Sequence, residues 1–177
     1  MDTTKTEEQF KRVMDECRTL FAKKLHDYGA SWRILRPSSL TDQLFIKAKR
    51  IRSLEITGTS LVGEGIRPEF IALINYGIIG LIQLEKGYVD TVDTKPEEAL
   101  ALYDAHAKEC LELMLRKNHD YNEAWRDMRI SSYTDFILTK IQRHHRWHET
   151  PDVQDPTYKV WTERRSCLKV STPTTWT

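Results

Sequence analysis

The chain reads Lys24-Leu-His-Asp-Tyr-Gly-Ala-Ser-Trp-Arg33 and, 93 residues later, Lys117-Asn-His-Asp-Tyr-Asn-Glu-Ala-Trp-Arg126. The match continues without a gap through Ser-Ser-x-Thr-Asp and then through a Lys-x-x-Arg pair in each half. Self-similarity at one fixed offset is the sequence signature of a repeated architecture. We therefore predict two tandem copies of one unit, residues 1–93 and 94–147, in one compact domain.

Both copies begin with a predicted helix that ends at the Asp-Tyr pair. Apolar residues recur at helical spacing upstream of the pair in each copy. The residue after the pair is Gly29 in the first copy and Asn122 in the second. Gly and Asn are the residue types that tolerate the left-handed conformation following a helix. We therefore predict that these helices end at Tyr28 and Tyr121.

A second helix is predicted to open within the Ser-Ser-x-Thr-Asp segment of each copy. Thr41 and Thr134 are the predicted N-caps, and Asp42 and Asp135 follow them in the first turn. A third helix over residues 69–86 is apolar almost all round, so it should form the buried centre. No segment of the sequence shows the alternation of apolar and polar residues that is typical of a β-strand. The predicted fold class is all-α, a helical bundle built from two tandem homologous repeats of which the second is truncated.

Composition and charge exclude several classes of partner. The formal net charge of the 177 residues is +1, so there is no direct signal for DNA binding or for attraction to a membrane surface. The longest apolar stretch, residues 70–84, is too short to span a bilayer. A polar run follows Met1, and the three cysteines are widely spaced and odd in number. We expect a cytoplasmic, bacterial-type protein with reduced thiols.

The second copy departs from the first after Arg143. Residues 148–177 form a Pro- and Thr-rich tail instead of a third helix. Read in a shifted frame, permitted codons for residues 162–177 spell a segment similar to residues 58–72. An out-of-frame tail and a naturally divergent tail both stay open as interpretations. Without its third helix, the second copy should leave the apolar stripe of residues 97–117 uncovered, which predicts self-association into a homo-oligomer.

Polar residues shared by the two copies are the candidates for a binding site. Lys47 and Arg50 lie three positions apart and share a helix face, where Arg suits bidentate and Lys point contacts to phosphate. The candidates for nucleotide or phosphate binding are Trp32, Arg33, Lys47, Arg50, Trp125, Arg126, Lys140 and Arg143. The candidate Mg²⁺ ligands are Asp27, Asp42, Glu64, Asp120 and Asp135, because Mg²⁺ binds through carboxylates together with substrate phosphates.

Each candidate also has a structural interpretation. The helix dipole alone favours an acid such as Asp42 in a first turn. Trp32 and Trp125 are of a type that more often anchors a core than stacks on a base, and Arg50 could form an internal ion pair. Both copies keep the same polar residues while many apolar ones differ. That supports a functional set, but equivalent structural contacts in a duplicated fold would explain it equally.

The repeated segments resemble the nucleotide-modification-associated domain family, type one, of bacteria and phages. The resemblance rests on the Lys-x-His-Asp-Tyr…Trp-Arg segment, the Ser-Ser-x-Thr-Asp…Lys-x-x-Arg helix and Glu64 with Asn75-Tyr76. It covers roughly residues 5–87 and 97–143. The family is in turn similar to the MazG-like all-α nucleoside triphosphate pyrophosphatases. That similarity implies Mg²⁺-assisted attack of water on a nucleoside triphosphate, with release of pyrophosphate.

One metal position departs from the family pattern. Single-copy members look like Glu, then Asp eight residues later, whereas Ala72 stands eight residues after Glu64. In the shifted-frame reading of the tail, both acids reappear at that spacing. Three hypotheses therefore remain: a Mg²⁺-dependent pyrophosphohydrolase, a non-catalytic nucleotide-binding module, and a helical interaction protein without a ligand. Ala72 favours the second hypothesis.

Overall fold

Five α-helices and two 3-10 turns form the computed structural model, which describes residues 3–60 and 63–148. In chain order the elements are α1 (Thr3–Tyr28), the turn η1 (Ser31–Ile34), α2 (Pro37–Thr57), α3 (Arg67–Lys86), α4 (Pro96–Tyr121), the turn η2 (Ala124–Asp127) and α5 (Ile130–His148). No strand occurs in these two ranges, so the predicted all-α bundle is confirmed. None of the described helices is long and apolar enough to cross a membrane.

The bounds of the elements recur at the offset of the sequence repeat. α1 and α4 begin and end 93 positions apart, η1 and η2 do the same, and α2 and α5 begin 93 positions apart. This agreement supports the predicted tandem repeat. The counterpart of α3 would fall after residue 148, so that part of the second copy lies outside the described residues. The shifted-frame segment, residues 162–177, lies there too.

The predicted helix ends at Tyr28 and Tyr121 are confirmed. Gly29 and Asn122 follow them with positive φ values of 60° and 51°. Both residues donate their N–H back to the preceding turn, at 2.9 Å and 3.0 Å. The Gly-to-Asn exchange between the copies is therefore explained by a shared left-handed backbone geometry.

The predicted N-caps are wrong, because each helix begins four residues before its threonine. α2 starts at Pro37, where a ring-fixed φ and a missing N–H carry no penalty. Thr41 therefore lies inside α2, and its hydroxyl donates to the Pro37 carbonyl at 3.0 Å. Thr134 lies inside α5 and donates to the Glu55 carboxylate at 2.9 Å. The aspartates that follow the two threonines consequently lie beyond the first turn.

Helix α3 is the buried centre of the bundle, as its composition predicts. It packs against α1, α2 and α4, and most of its side chains are buried. A buried polar relay joins three of these helices: the Tyr103 hydroxyl donates to Asn75 Oδ1 at 2.8 Å, and Asn75 Nδ2 donates to the Cys17 carbonyl at 3.1 Å. The Phe21 ring stacks on Tyr103 with centroids 4.5 Å apart. Asn75, which carries part of the family resemblance, is therefore fixed by internal contacts.

Equivalent helices of the two copies pair with each other. α1 lies against α4, where Arg18 Nε donates to Asp104 Oδ1 at 2.6 Å. α2 lies against α5, where Arg52 Nη1 lies 3.8 Å from Asp135 Oδ1. In the second pair, a residue late in α2 meets one early in α5, so these helices run antiparallel.

The apolar stripe of α4 is covered, so the prediction that it lacks a cover is wrong. Residues of this stripe are buried because α1 and α3 together pack over it. The buried members are Tyr103, His106, Cys110 and Met114. Apolar side chains that are more than half exposed occur instead on α5, at Ile130 and Phe136, and on α2, at Ile46 and Ile56.

The turn η1 is held to the bundle by Arg33, which is fully buried. Its guanidinium donates to both Asp93 carboxylate oxygens, at 2.9 Å and 3.2 Å. Nη1 also donates to Gln83 Oε1 and, at 2.5 Å, to the Gly87 carbonyl. Gln83 Nε2 in turn faces three carbonyl oxygens of residues 32–35 at 2.9 to 3.2 Å. A buried charge needs such partners, so this position favours a structural role for Arg33.

We predict an acid-sensitive contribution of Asp93 to stability. The Arg33 guanidinium, with help from the Thr94 hydroxyl, holds the pKa of Asp93 well below its usual range. A carboxylate with a lowered folded-state pKa stabilises the fold above its unfolded pKa of about 3.9, and this contribution is lost as the pH falls towards the folded value. Asp93→Asn should therefore lower the melting temperature most at neutral pH. Circular dichroism melts at pH 7 and pH 3 check this, and an equal difference at both would contradict it.

Candidate functional site

A cavity of about 590 Å³ lies between the C-terminal half of α1, η1, α2 and α3. Its walls are mostly apolar and include four aromatic rings and two lysines, and none of the described lining residues is acidic. The rings are Phe21, Tyr28, Trp32 and Tyr76, and the lysines are Lys24 and Lys47. The volume is within the range of about 300–1,000 Å³ typical of small-molecule sites. This cavity therefore combines aromatic surface with positive charge.

Lys24 and Tyr28 form the exposed edge of this cavity. They lie four positions apart on α1 and so share a face of the helix. The Lys24 ammonium lies 5.7 Å from the Tyr28 ring centroid, and Tyr28 is 66% exposed. The sequence prediction included neither residue, although both recur in the repeated segment as Lys117 and Tyr121. Their recurrence in both copies was the sequence signal that could have identified them as candidate site residues.

Lys47 and Arg50 meet on one buried carboxylate. Glu69 is 3% exposed, and its two oxygens lie 3.1 Å from Lys47 Nζ and 2.8 Å from Arg50 Nη1. The predicted shared helix face is confirmed by this common partner. Arg50 also reaches Glu64, at 3.3 Å. Arg50 does not line the cavity, whereas Lys47 does, so the two cations differ in their access to a ligand.

Sequence reasoning missed Glu69. The signal was an acid within a helix that is otherwise apolar almost all round. Its burial is tolerated because two cations offset the cost of removing its charge from water. Glu69 therefore fixes the position of the Lys47 ammonium, while the Lys47 side chain lines the cavity.

The predicted metal ligands are not brought together. Within the described ranges, no group of three or more His, Cys, Asp and Glu residues could hold a metal ion. Each carboxylate has a local neighbour: Asp27 and Asp120 lie 3.3 Å from the histidines that precede them, Glu64 pairs with Arg50, and Asp135 lies near Arg52. Asp42 is exposed on α2. Ala72, where the family pattern has Asp, lines the cavity.

The corresponding residues of the second copy form a different, more polar arrangement. Trp125 is half-buried, and its Nε1 donates to Asn118 Oδ1 at 2.7 Å. The Arg126 guanidinium lies 4.5 Å from the Trp125 ring centroid and donates to Glu123 at 2.7 Å and to Gln9 at 2.8 Å. Hydrogen bonds from Arg126 and other neighbours lower the pKa of the Glu123 carboxyl. This network secures η2 against α1.

The remaining candidates of the second copy lie on α5. Lys140 is half-buried and Arg143 is exposed. They occupy the positions that Lys47 and Arg50 hold on α2, but a counterpart of Glu69 would fall beyond Arg143, where the two copies cease to match. Among the described residues, a pocket with walls from the first, second and third helices is found in the first copy.

Comparison with known proteins assigns the repeated segments to a family. The family model for nucleotide modification associated domain 1 matches residues 24–84 and 117–155, more than half of the chain. The chain belongs to this family. Among curated proteins and among solved structures, no match to the chain is found.

The nucleotide modification associated domain covers most of the cavity wall. Its two matched segments begin at Lys24 and Lys117, the same point of the repeat. The first segment contains Trp32, Lys47 and Ala72, and it ends near the C-terminus of α3. Of the predicted phosphate-binding residues, Trp32 and Lys47 line the cavity, whereas Arg33 and Arg50 are engaged beside it.

We predict that Glu69→Gln destabilises the protein by about 2–4 kcal/mol, because it leaves two partly buried cations without their shared charge. The matched control is Glu64→Gln, whose exposed carboxylate pairs with Arg50 alone. That change should cost less than about 1 kcal/mol. Urea unfolding measures both values. Equal losses for the two variants would contradict the assignment of Glu69 as the centre of the ion-pair cluster.

Proposed function

We propose that the protein binds a nucleotide in the cavity without needing a metal ion and without hydrolysing it. The observation that carries the proposal is the lining of the cavity: four aromatic rings and two lysines, with no acid among the described lining residues. Membership of the nucleotide modification associated domain 1 family supports this class of ligand. A pocket of this kind suits a flat aromatic group joined to an anion.

The inner part of the cavity suits the base. Phe21 and Trp32 are buried and their ring centroids lie 6.3 Å apart. Tyr76 is half-buried, and Ile79 adds a buried aliphatic surface. Stacking of a base on an aromatic side chain contributes about 1–3 kcal/mol. The apolar surroundings therefore favour a base over a phosphate at this end.

The lysines suit the phosphate. Lys24 is exposed at the edge of the cavity, and Lys47 is half-buried with its ammonium 3.1 Å from Glu69. A lysine ammonium acts as a compact point charge towards phosphate. Because Lys47 already has an anionic partner, Lys24 is the cation expected to contribute most to ligand affinity.

The proposal does not extend to Mg²⁺-dependent pyrophosphohydrolysis. Mg²⁺ is usually held by one or two carboxylates together with substrate phosphates. The described lining of the cavity offers no carboxylate, and Glu64 is engaged by Arg50. The residues present therefore do not fit a metal-dependent site in the first copy. Release of pyrophosphate from a triphosphate in the presence of Mg²⁺ would favour the hydrolase instead.

Calorimetric titration in EDTA tests nucleotide binding. The probes are the 5′-monophosphates and 5′-triphosphates of adenosine, guanosine, cytidine and uridine. We expect wild-type protein to bind at least one of them, and Lys24→Ala to weaken that binding about tenfold, because a charge-assisted contact is lost. The matched control is Lys23→Ala on the neighbouring position of α1, which is exposed and does not line the cavity.

Equal affinities of the two lysine variants would place the ligand elsewhere. If none of the eight nucleotides binds, the proposal fails, and the helical interaction protein becomes the better hypothesis.

A carboxylate at position 72 should oppose binding in the absence of metal. Ala72→Asp places a negative charge at the cavity wall, so we expect nucleotide affinity in EDTA to fall about tenfold through charge repulsion. Ala72→Asn has nearly the same size and no charge, and it should weaken binding much less. The same titrations check this. Equal losses would show that the cavity rejects size rather than charge.

Self-association stays a prediction, now based on α5. Ile130 and Phe136 are 51% and 57% exposed, and exposed apolar side chains favour interfaces when they form a patch. We expect the mass measured by light scattering to rise with protein concentration. Phe136→Glu should suppress that rise. A monomer at all concentrations would contradict the prediction.

A further inference from the structure

The two equivalent tryptophans differ in how their indole N–H groups are satisfied. Trp125 Nε1 donates to Asn118 Oδ1 at 2.7 Å. Trp32 is 9% exposed, and its Nε1 is buried without a hydrogen-bond partner among the described residues. A buried N–H without an acceptor is destabilising, and such groups are uncommon in native proteins. The unsatisfied donor of the first copy therefore needs an explanation.

One substitution between the copies accounts for the difference. Leu25 occupies in the first copy the position that Asn118 occupies in the second. Asn offers a carbonyl oxygen that accepts a hydrogen bond, whereas Leu offers none. Leu25 and Trp32 both line the cavity. The donor that lacks a protein acceptor thus belongs to a side chain of the proposed binding site.

We propose that Trp32 Nε1 donates a hydrogen bond to the base of the bound nucleotide, and that Leu25 keeps this donor free for the ligand. The inference rests on the proposed function. The indole N–H donates only, so the ligand atom is an acceptor: an exocyclic carbonyl oxygen or an unprotonated ring nitrogen of the base.

A base fits this donor better than a phosphate does. Trp32 packs beside Phe21 in the apolar part of the cavity, where a phosphate would lose its hydration at a large cost in free energy. The same apolar surroundings exclude competing water and so strengthen a hydrogen bond to the base. Trp32 is therefore the residue that selects for an acceptor on the ligand, while the lysines hold the anion.

The test introduces the second copy's acceptor into the first. Leu25→Asn should satisfy Trp32 internally, as Asn118 satisfies Trp125, and compete with the ligand for the donor. We expect affinity for the best-binding nucleoside monophosphate of the four to fall about three- to tenfold, the range of one hydrogen bond. Trp32→Phe removes the donor and should have a loss of at least this size. Calorimetric titration measures both, with circular dichroism to check folding.

A reciprocal variant serves as the control. Asn118→Leu removes the acceptor from Trp125, away from the cavity, so it should lower the melting temperature and leave nucleotide affinity unchanged. Inorganic phosphate is the second probe. Its binding at the lysines should be the same in wild type and Trp32→Phe, because the indole does not contact the anion.

The outcomes separate the inference from the proposed function. If wild type binds a nucleotide but Leu25→Asn and Trp32→Phe both bind it with unchanged affinity, the hydrogen bond does not exist and this inference alone is overturned. If wild type binds none of the nucleotides, both the inference and the proposed function fail. If Trp32→Phe does not fold, Leu25→Asn decides the question by itself.

Discussion

The buried guanidinium of Arg33 is the constraint on which the first copy depends. A full positive charge without exposure must find its partners inside the protein, and it finds them in Gln83 of α3 and in Asp93 just before α4. Gln83 also anchors the carbonyl oxygens of η1. The turn, the central helix and the connector to the second copy are thereby fixed to one another. Trp32, the residue before Arg33, is carried into the cavity wall by the same arrangement.

Much of the fold was predictable from local sequence signals. Helical periodicity and the Gly29/Asn122 exchange gave the helix ends, and the apolar composition of residues 69–86 gave the central helix. The starts of α2 and α5 were missed because Thr-Asp resembles a cap, although Pro37 was the better start signal. The cover of α4 was missed for a different reason. Three-dimensional packing decides which helices contact α3. The sequence of α4 contains no pattern that predicts this contact.

The candidate site was predictable only in part, because a sequence does not show which charges neutralise each other. Lys47 and Arg50 were correctly placed on one face, but their buried partner Glu69 was not found. In the folded chain, the polar residues shared by the two copies fall into two groups. Trp32 and Lys47 line the cavity, whereas Arg33 and Arg126 hold the turns η1 and η2 in place. The sequence repeat therefore identified these polar residues, but it did not distinguish the ones that line the cavity from the ones that stabilise the fold. The difference between Leu25 and Asn118, which are equivalent positions of the repeat, indicated more about the binding site than the residues that both copies share.

The pairing of equivalent helices bears on the symmetry of the chain. α1 pairs with α4 and α2 pairs with α5, so two helices of the first copy contact their own counterparts. Contacts of this kind arise naturally around a two-fold axis, where one surface patch meets a second copy of itself. A chain with a single unit would have to obtain them from another molecule. The described helices are therefore arranged as in a two-fold dimer, except that one polypeptide supplies both members of each pair.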